Sequence, residues 1–469
     1  MLAADLPITA LRELLDSRML TSLDLADQLI ARTDAAVALN AYVSFDAAAL
    51  RAQARQADQR IAAGERLPLL GIPIALKDNI DAVGWPCAAG TAALQGRKPT
   101  ADAELVRRLR AAGALIAGKA NMHELALGIT NNNAVTGAAH NPWDVTRIPG
   151  GSSGGSGAVV AARLVPAAIG TDTGGSVRVP AALCGVVGLR PTVGRVPGEG
   201  IAPIATTRDT GGPLARSIAD CALLDAVLTG VPNAAASAGL KGLRLGLPRS
   251  PFWDDLDSGV REVAESALTR LREAGAELVE MDLPGIAQAS SEAGFPIALF
   301  EFVRDMRHYL ASRERGVTLA QLIAGVGSPD VAGVVGPLLA GGAIPEPVYQ
   351  QALLARQRLQ GLYRAAFAQH RVEALVFPTT PRTAARIGED ETVDLNGRAQ
   401  PTFLTFIRNT DPGSNAGIPG VTLPAGLAAG LPVGLALDGP AGSARRLLAI
   451  AAAVEAALPP APRAPLTTL

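Results

Sequence analysis

Residues 149–180 read PGGSSGGSGAVVAARLVPAAIGTDTGGSVRVP. Two glycine–serine clusters, residues 150–157 and the trio Gly174, Gly175 and Ser176, are joined by an apolar segment. Glycine lets a backbone come close to another atom and adopt dihedrals closed to other residues. A serine at the end of such a loop holds its hydroxyl beside free N–H donors, which is the combination acyl transfer needs. Two such clusters at this density direct the reading of the remaining chain toward a partner that could activate a serine.

The chain is long enough, at 469 residues with 48% apolar content, to bury a large core in one large α/β domain or in two to three smaller ones. A net charge of −1 gives no basic footprint for nucleic acid or an anionic membrane. The opening MLAADLPITA lacks a signal peptide's basic and apolar regions, and no apolar run reaches spanning length. Cys87, Cys184 and Cys221 are scattered without metal-ligand spacing and read as reduced cytoplasmic thiols. Basic residues are more informative. Lys77, Lys98, Lys119 and Lys241 are the four lysines, against 38 arginines. A lysine kept in such a chain is a candidate for work that arginine cannot do, because only lysine readily becomes neutral when buried.

Taken in order, residues 8–35 and 45–64 have the periodicity of amphipathic helices. Residues 72–76 read as a short buried strand that ends on Lys77, with ion pairing to Asp78 or Asp81 as its structural alternative. A helix over 102–112, with Asp102 as its N-cap and Gly113 as its stop, leads into a strand at ALIAG. Residues 121–137 start helical and become an Asn-rich loop, and His123 within them reads as structural. Residues 208–213 and the segment RNTDPGSNAGIPG read as polar loops. The small, polar stretch 230–242 is the best candidate for an internal boundary. Beyond it a strand–helix–strand unit implies parallel pairing. Residues 296–370 read as mostly helical, and ALVFPTTP, VTLPAG and LPVGLALDG as further strands.

Three chemistries fit the glycine–serine clusters unequally. Gly151-Ser152-Ser153-Gly154-Gly155 matches the G-x-S-x-G elbow of serine hydrolases. That elbow needs an apolar strand before it, and NPWDVTRIP is not one. An anion cradle at a helix N-terminus lacks the G-K-[ST] of a P-loop. Metal catalysis has four histidines that never pair at ligand spacing. What remains is a serine nucleophile activated by something other than histidine, with Lys77 as candidate base and an upstream serine as relay.

At these residues the chain resembles the amidase signature hydrolases. The resemblance rests on GIPIALKDNI, IPGGSSGGSG and GTDTGGSVRVPAALCGVVGLRPT, in order and at fitting distances: 75 residues separate Lys77 from Ser152, and 24 separate Ser152 from Ser176. It spans about residues 5–460 and is densest over 66–215. It implies a Ser–cis-Ser–Lys triad in which Ser176 attacks the amide carbonyl and Ser152, after a cis bond from Gly151, bridges Ser176 to Lys77. It also implies an oxyanion hole of backbone N–H groups from Thr173, Gly174, Gly175 and Ser176. Ser153, Asp172 and Arg178 then hold the loops. The implied fold is an α/β single domain over 1–469: a mixed β-sheet core flanked by helices on both sides.

Within that family, MHELALGITNNN, RDTGGPLARSIAD and RNTDPGSNAGIPG look most like mandelamide and indoleacetamide hydrolases. The expected substrate is a small primary amide with an arylacetamide-like acyl group. Residues 126–133, including Ala126 and Gly128, and the helical region 296–370 are expected to form its walls. Phe295, Phe300, Phe302, Tyr309, Phe403 and Phe406 are the aromatic candidates there, with core packing as the alternative. The rival reading is the glutaminase subunit of a tRNA-dependent amidotransferase, which shares all three motifs. A non-enzymatic binding module would not need all three triad positions. No metal or cofactor is expected. The partner is a small-molecule amide rather than nucleic acid or membrane, the assembly a homodimer and the location cytoplasmic. If Lys77 is the base, a chain with His123, His140, His308 and His370 all replaced keeps substantial amidase activity in its folded fraction. Near-complete loss in a well-folded variant overturns the lysine reading.

Overall fold

A computed structural model describes residues 2–232, 239–339 and 341–465. The described residues build an eleven-stranded mixed sheet with helices on both faces. Its spatial order is Tyr42–Phe45, Leu115–Ala120, Pro73–Lys77, Ala167–Asp172, Thr210–Ala215, Val187–Arg190, Gly420–Ala428, Leu431–Asp438, Ala374–Pro378, Arg244–Pro248 and Glu277–Met281. Pro73–Lys77 runs parallel to both neighbours, with Leu76 level with Ile169. Arg244–Pro248 is likewise parallel to Glu277–Met281 and Ala374–Pro378, as the strand–helix–strand reading required. The other pairs are antiparallel.

The central strands are buried along their whole length, so they read as continuous apolar runs rather than alternating ones. Parallel pairing puts the C-terminal ends of Pro73–Lys77 and Ala167–Asp172 side by side, where open α/β sheets carry their sites. The first glycine–serine cluster opens the fully buried helix Gly154–Ala161, which crosses to the Ala167–Asp172 strand. The second cluster leaves that strand and enters the helix Arg178–Cys184.

Several local expectations differ from the structure. The helix predicted over 102–112 spans Glu104–Ala111, and its N-cap is Ala103 rather than Asp102. The Asp102 carboxylate instead accepts the Val83 N–H at 2.7 Å and pairs with Arg110 at 3.0 Å. Residues 121–137 contain only the short 3-10 turn Glu124–Ala126. The expected loop over 208–213 runs into the buried strand Thr210–Ala215. Its Gly-Gly-Pro sequence reads as a turn, but glycine serves here for close approach: a Cβ on Gly212 would drive into the Leu189 carbonyl. The expected loop RNTDPGSNAG holds the buried helix Asp411–Ala416. The strand Tyr42–Phe45 and the hairpin Thr392–Leu395/Arg398–Pro401 were not legible. Residues 233–238 of the candidate boundary 230–242 lie outside the described residues, and strands on both sides of it join the one large sheet.

Overpacking of a tight site costs roughly 1–3 kcal/mol, occasionally more. Gly212→Ala is therefore expected to lower the urea midpoint clearly. Gly198→Ala, whose Cβ meets nothing within 4 Å, is expected to leave it unchanged. Equal midpoints for the two variants overturn this account of the strand.

Candidate active site

Lys77 is fully buried at the end of its strand. Its Nζ lies 2.8 Å from Ser152 Oγ and 2.8 Å from Thr171 Oγ1. Burial drives the ammonium down from 10.5 to about 7, against the opposing pull of Asp172 and Asp209. Asn79 Nδ2 reaches the same Thr171 oxygen at 3.2 Å. A neutral amine has two N–H groups and one lone pair. Thr171 accepts from both Lys77 and Asn79, which fixes one N–H of the amine and leaves its lone pair available to the Ser152 hydroxyl. Thr171 and Asn79 were not singled out from the sequence. Thr171 comes beside Lys77 only through the strand register, two residues beyond Ile169, the partner of Leu76.

The Gly151–Ser152 peptide bond is cis, as the motif implied. The Ser152 carbonyl accepts the His123 N–H at 3.1 Å, Gly154 N–H donates to Asn131 Oδ1 at 3.0 Å, and Gly155 N–H donates to the Asn121 carbonyl at 3.0 Å. The Asn-rich loop is thus the clamp of the serine loop. His123 is buried, accepts the Asn131 N–H on Nδ1 at 3.2 Å, and holds Nε2 at 2.9 Å from Asp330. This is the structural role expected of it.

Ser176 joins this group through the backbone: its carbonyl accepts the Ser153 N–H at 3.2 Å, and Ser153 Oγ bonds the Thr171 backbone. Among the described residues no side-chain hydrogen bond to the Ser176 hydroxyl is formed. Asp172 fixes the turn that carries Ser176. Its Oδ2 accepts the Val177 N–H at 3.2 Å and the Arg178 Nε at 3.1 Å, while Arg190 reaches its Oδ1 at 2.8 Å. Burial would raise the Asp172 carboxyl, but Arg178 and Arg190 hold it well below the usual range. Thr173 is fastened from two sides, by its hydroxyl to Asp209 at 2.6 Å and by its carbonyl to Arg208 at 3.1 Å. Burial pushes the Asp209 carboxyl up to about 6. Gly175 has φ +140, and a side chain there would strike Thr410 Oγ1.

Ser176, Thr173 and Gly174 open onto a mostly apolar pocket of about 330 Å³. Ala126 and Gly128 line it as expected, together with Ile129, Leu299 and Val334. Of the six candidate aromatics, Phe295 and Phe403 reach the pocket, their ring centroids 5.9 Å apart. The other four are not among its lining residues. Phe300 stacks on Tyr349 at 4.0 Å, and Phe302, Tyr309 and Phe406 are core. Sequence adjacency missed this because facing and opposite sides of the helix Ile286–Ser312 lie only a few residues apart.

The family profile described as Amidase matches residues 24–448. The chain belongs to the amidase family. It is 46% identical over 457 residues to the indoleacetamide hydrolase of Agrobacterium vitis, covering 96% of this chain and 97% of that protein. It is 42% identical over 472 residues to the mandelamide hydrolase of Pseudomonas putida, covering 97% and 92%. The crystal structure of an amidase superimposes with a TM-score of 0.87 at 34% identity, covering 97% and 100%. The amidase fold is therefore the α/β architecture expected of the sequence, and the chain is an enzyme acting on amide C–N bonds. Among the described residues no helix is long and apolar enough to cross a membrane.

With Lys77 neutral above about pH 7, kcat/KM is expected to rise through that value and level off on the alkaline side. A rate that falls steadily from pH 6 to pH 9 overturns the assignment of Lys77 as base.

Proposed function

We propose that this amidase hydrolyses a small arylacetamide-like primary amide to its carboxylate and ammonia, through an acyl-enzyme on Ser176. The observation that carries the reading is a fully buried lysine held near neutrality and in contact with Ser152, beside a serine that opens onto an apolar pocket. Lys77 takes the Ser152 proton as Ser152 takes that of Ser176, and the Ser176 oxygen adds to the amide carbonyl. Backbone N–H groups of Thr173, Gly174, Gly175 and Ser176 stabilise the oxyanion; such a donor is worth roughly 3–4 kcal/mol of barrier. The proton returns along the same path to the departing ammonia. Water repeats the sequence on the ester, with Lys77 again as base.

The apolar walls favour an aryl acyl group over a zwitterionic one, and the indoleacetamide and mandelamide hydrolases among the relatives support the same class. Glutamine, the substrate of the rival reading, needs partners for an ammonium and a carboxylate. Arg208, the arginine among the pocket residues, already pairs with Asp411 at 2.6 Å. A cytoplasmic location is supported by three free, buried cysteines. One domain over the whole chain is supported by the shared sheet.

Purified enzyme is expected to release ammonia from phenylacetamide, mandelamide and indole-3-acetamide, and to do so poorly from glutamine. Ser176→Ala should lower kcat by roughly 10⁴-fold or more without unfolding the chain. Mass spectrometry of the quenched reaction should find the acyl group on Ser176. Hydrolysis of glutamine alone overturns the substrate class, and an acyl group on Ser153 overturns the nucleophile.

A further inference from the structure

A second cleft, of about 230 Å³, lies apart from the substrate pocket and shares no lining residue with it. The far end of the helix Arg178–Cys184 borders it, together with the N-terminal residues and the segment 461–464. Asp5, Arg163, Arg216 and Arg463 supply its charges. The single carboxylate in that set is already engaged, because Arg32 sits 2.9 Å from Asp5 Oδ1 from behind.

Arg163 is the decisive residue. It is 7% exposed, yet its closest carboxylate contact is Nε at 3.6 Å from Asp5, too long for a hydrogen bond. Among the described residues its guanidinium has no hydrogen-bond partner, and it lines the cleft. Arg216 gives its Nη groups to the carbonyls of Val165, Pro166, Ala4 and Leu6, with Asp220 and Asp5 as the nearby carboxylates that favour its charge. Burial, with neighbouring arginines adding to it, moves both guanidiniums below their ordinary range, Arg216 to about 10. The cleft lining carries three arginines against one aspartate. A buried guanidinium left without hydrogen-bond acceptors is costly, and planar guanidinium forks match oxyanions.

We propose that this cleft is a binding site for a small tetrahedral oxyanion of the phosphate or sulfate class, with Arg163 as its central ligand and Arg216 and Arg463 flanking it. The anion supplies the acceptors that Arg163 lacks, offsets the excess of arginine in the lining, and ties the N-terminal residues to the segment 461–464. It stabilises the fold without touching the reaction, since the cleft and the substrate pocket are separate.

The test is isothermal titration of the full chain with inorganic phosphate at constant ionic strength set by sodium chloride, alongside thermal unfolding. One saturable site in the millimolar range or tighter is expected, with a melting temperature that rises hyperbolically with phosphate. Sulfate should compete. Acetate should bind at least tenfold more weakly, and equal binding overturns the tetrahedral assignment. Arg163→Gln should abolish both the heat and the shift while kcat stays within twofold. Should that variant not fold, Arg463→Gln, on an exposed segment, decides: at least a fivefold loss of phosphate affinity is expected. No saturable heat in the wild type, a shift that sodium chloride alone reproduces, or unchanged binding in the folded variants overturns the site.

Discussion

On the proposed mechanism, everything in the site depends on keeping one lysine uncharged. Moving Lys77 from 10.5 to about 7 penalises its charged form by about 5 kcal/mol. Burial alone supplies the penalty, so the surroundings must not undo it. Two carboxylates are near enough to favour the ammonium, Asp172 and Asp209. Asp172 is occupied by Arg178 and Arg190 in a buried cluster with no net negative charge to spare. Asp209 takes two backbone N–H groups and the Thr173 hydroxyl, and its own carboxyl is pushed up toward neutrality by burial. The carboxylates thus fix the loop around Ser176, and their pull on the Lys77 ammonium is outweighed by its burial. Arginine in place of Lys77 would stay protonated, which gives a physical reason for a lysine in a chain that otherwise uses arginine.

The sheet turns that electrostatic requirement into geometry. Parallel pairing aligns the ends of two strands, so Lys77 and the loop after Asp172 emerge at the same edge. A neighbouring helix, buried on all sides, brings the serine loop back to that edge. The Asn-rich loop then fastens Ser152 by backbone hydrogen bonds rather than by side-chain charge. Bonds of that kind position groups without adding to the field at Lys77.

The parts of this arrangement that were legible in the sequence are those where local chemistry and tertiary role agree. A short apolar run ending in Lys-Asp-Asn was a buried strand, and dense glycine beside serine was a loop at a crowded site. The segment 208–213 was misread because Gly-Gly-Pro favours turns locally, whereas tertiary packing uses the bare glycines for strand-to-strand approach. The segment 409–417 was misread because Asp, Pro, Gly, Ser and Asn are poor helix formers. Its helix Asp411–Ala416 is held instead by contacts at the site: Asp411 to Arg208, and Ser414 to Arg178. Thr171 and Asn79 escaped notice because their importance lies in a register between strands more than 90 residues apart.

The pocket follows a different logic from the lysine cluster beside it. Lys77, Thr171 and Asn79 tolerate little change, because each hydrogen bond there decides where a lone pair points. The acyl pocket is built from Ala126, Gly128, Ile129, Leu299 and Val334 with two ring edges, and has few groups that could demand a particular polar partner. Apolar walls distinguish neighbouring acyl groups by only about 1–3 kcal/mol per methylene. Of its four charged lining residues, Arg208 and Asp411 are paired and hold Thr173, Asp330 pairs with His123, and Asp390 accepts from Asn132. On the proposed mechanism, selectivity for the bond to be cleaved and selectivity for the acyl group are therefore set by different residues, so a changed wall should admit a new amide without disturbing the amine proposed to activate the serine.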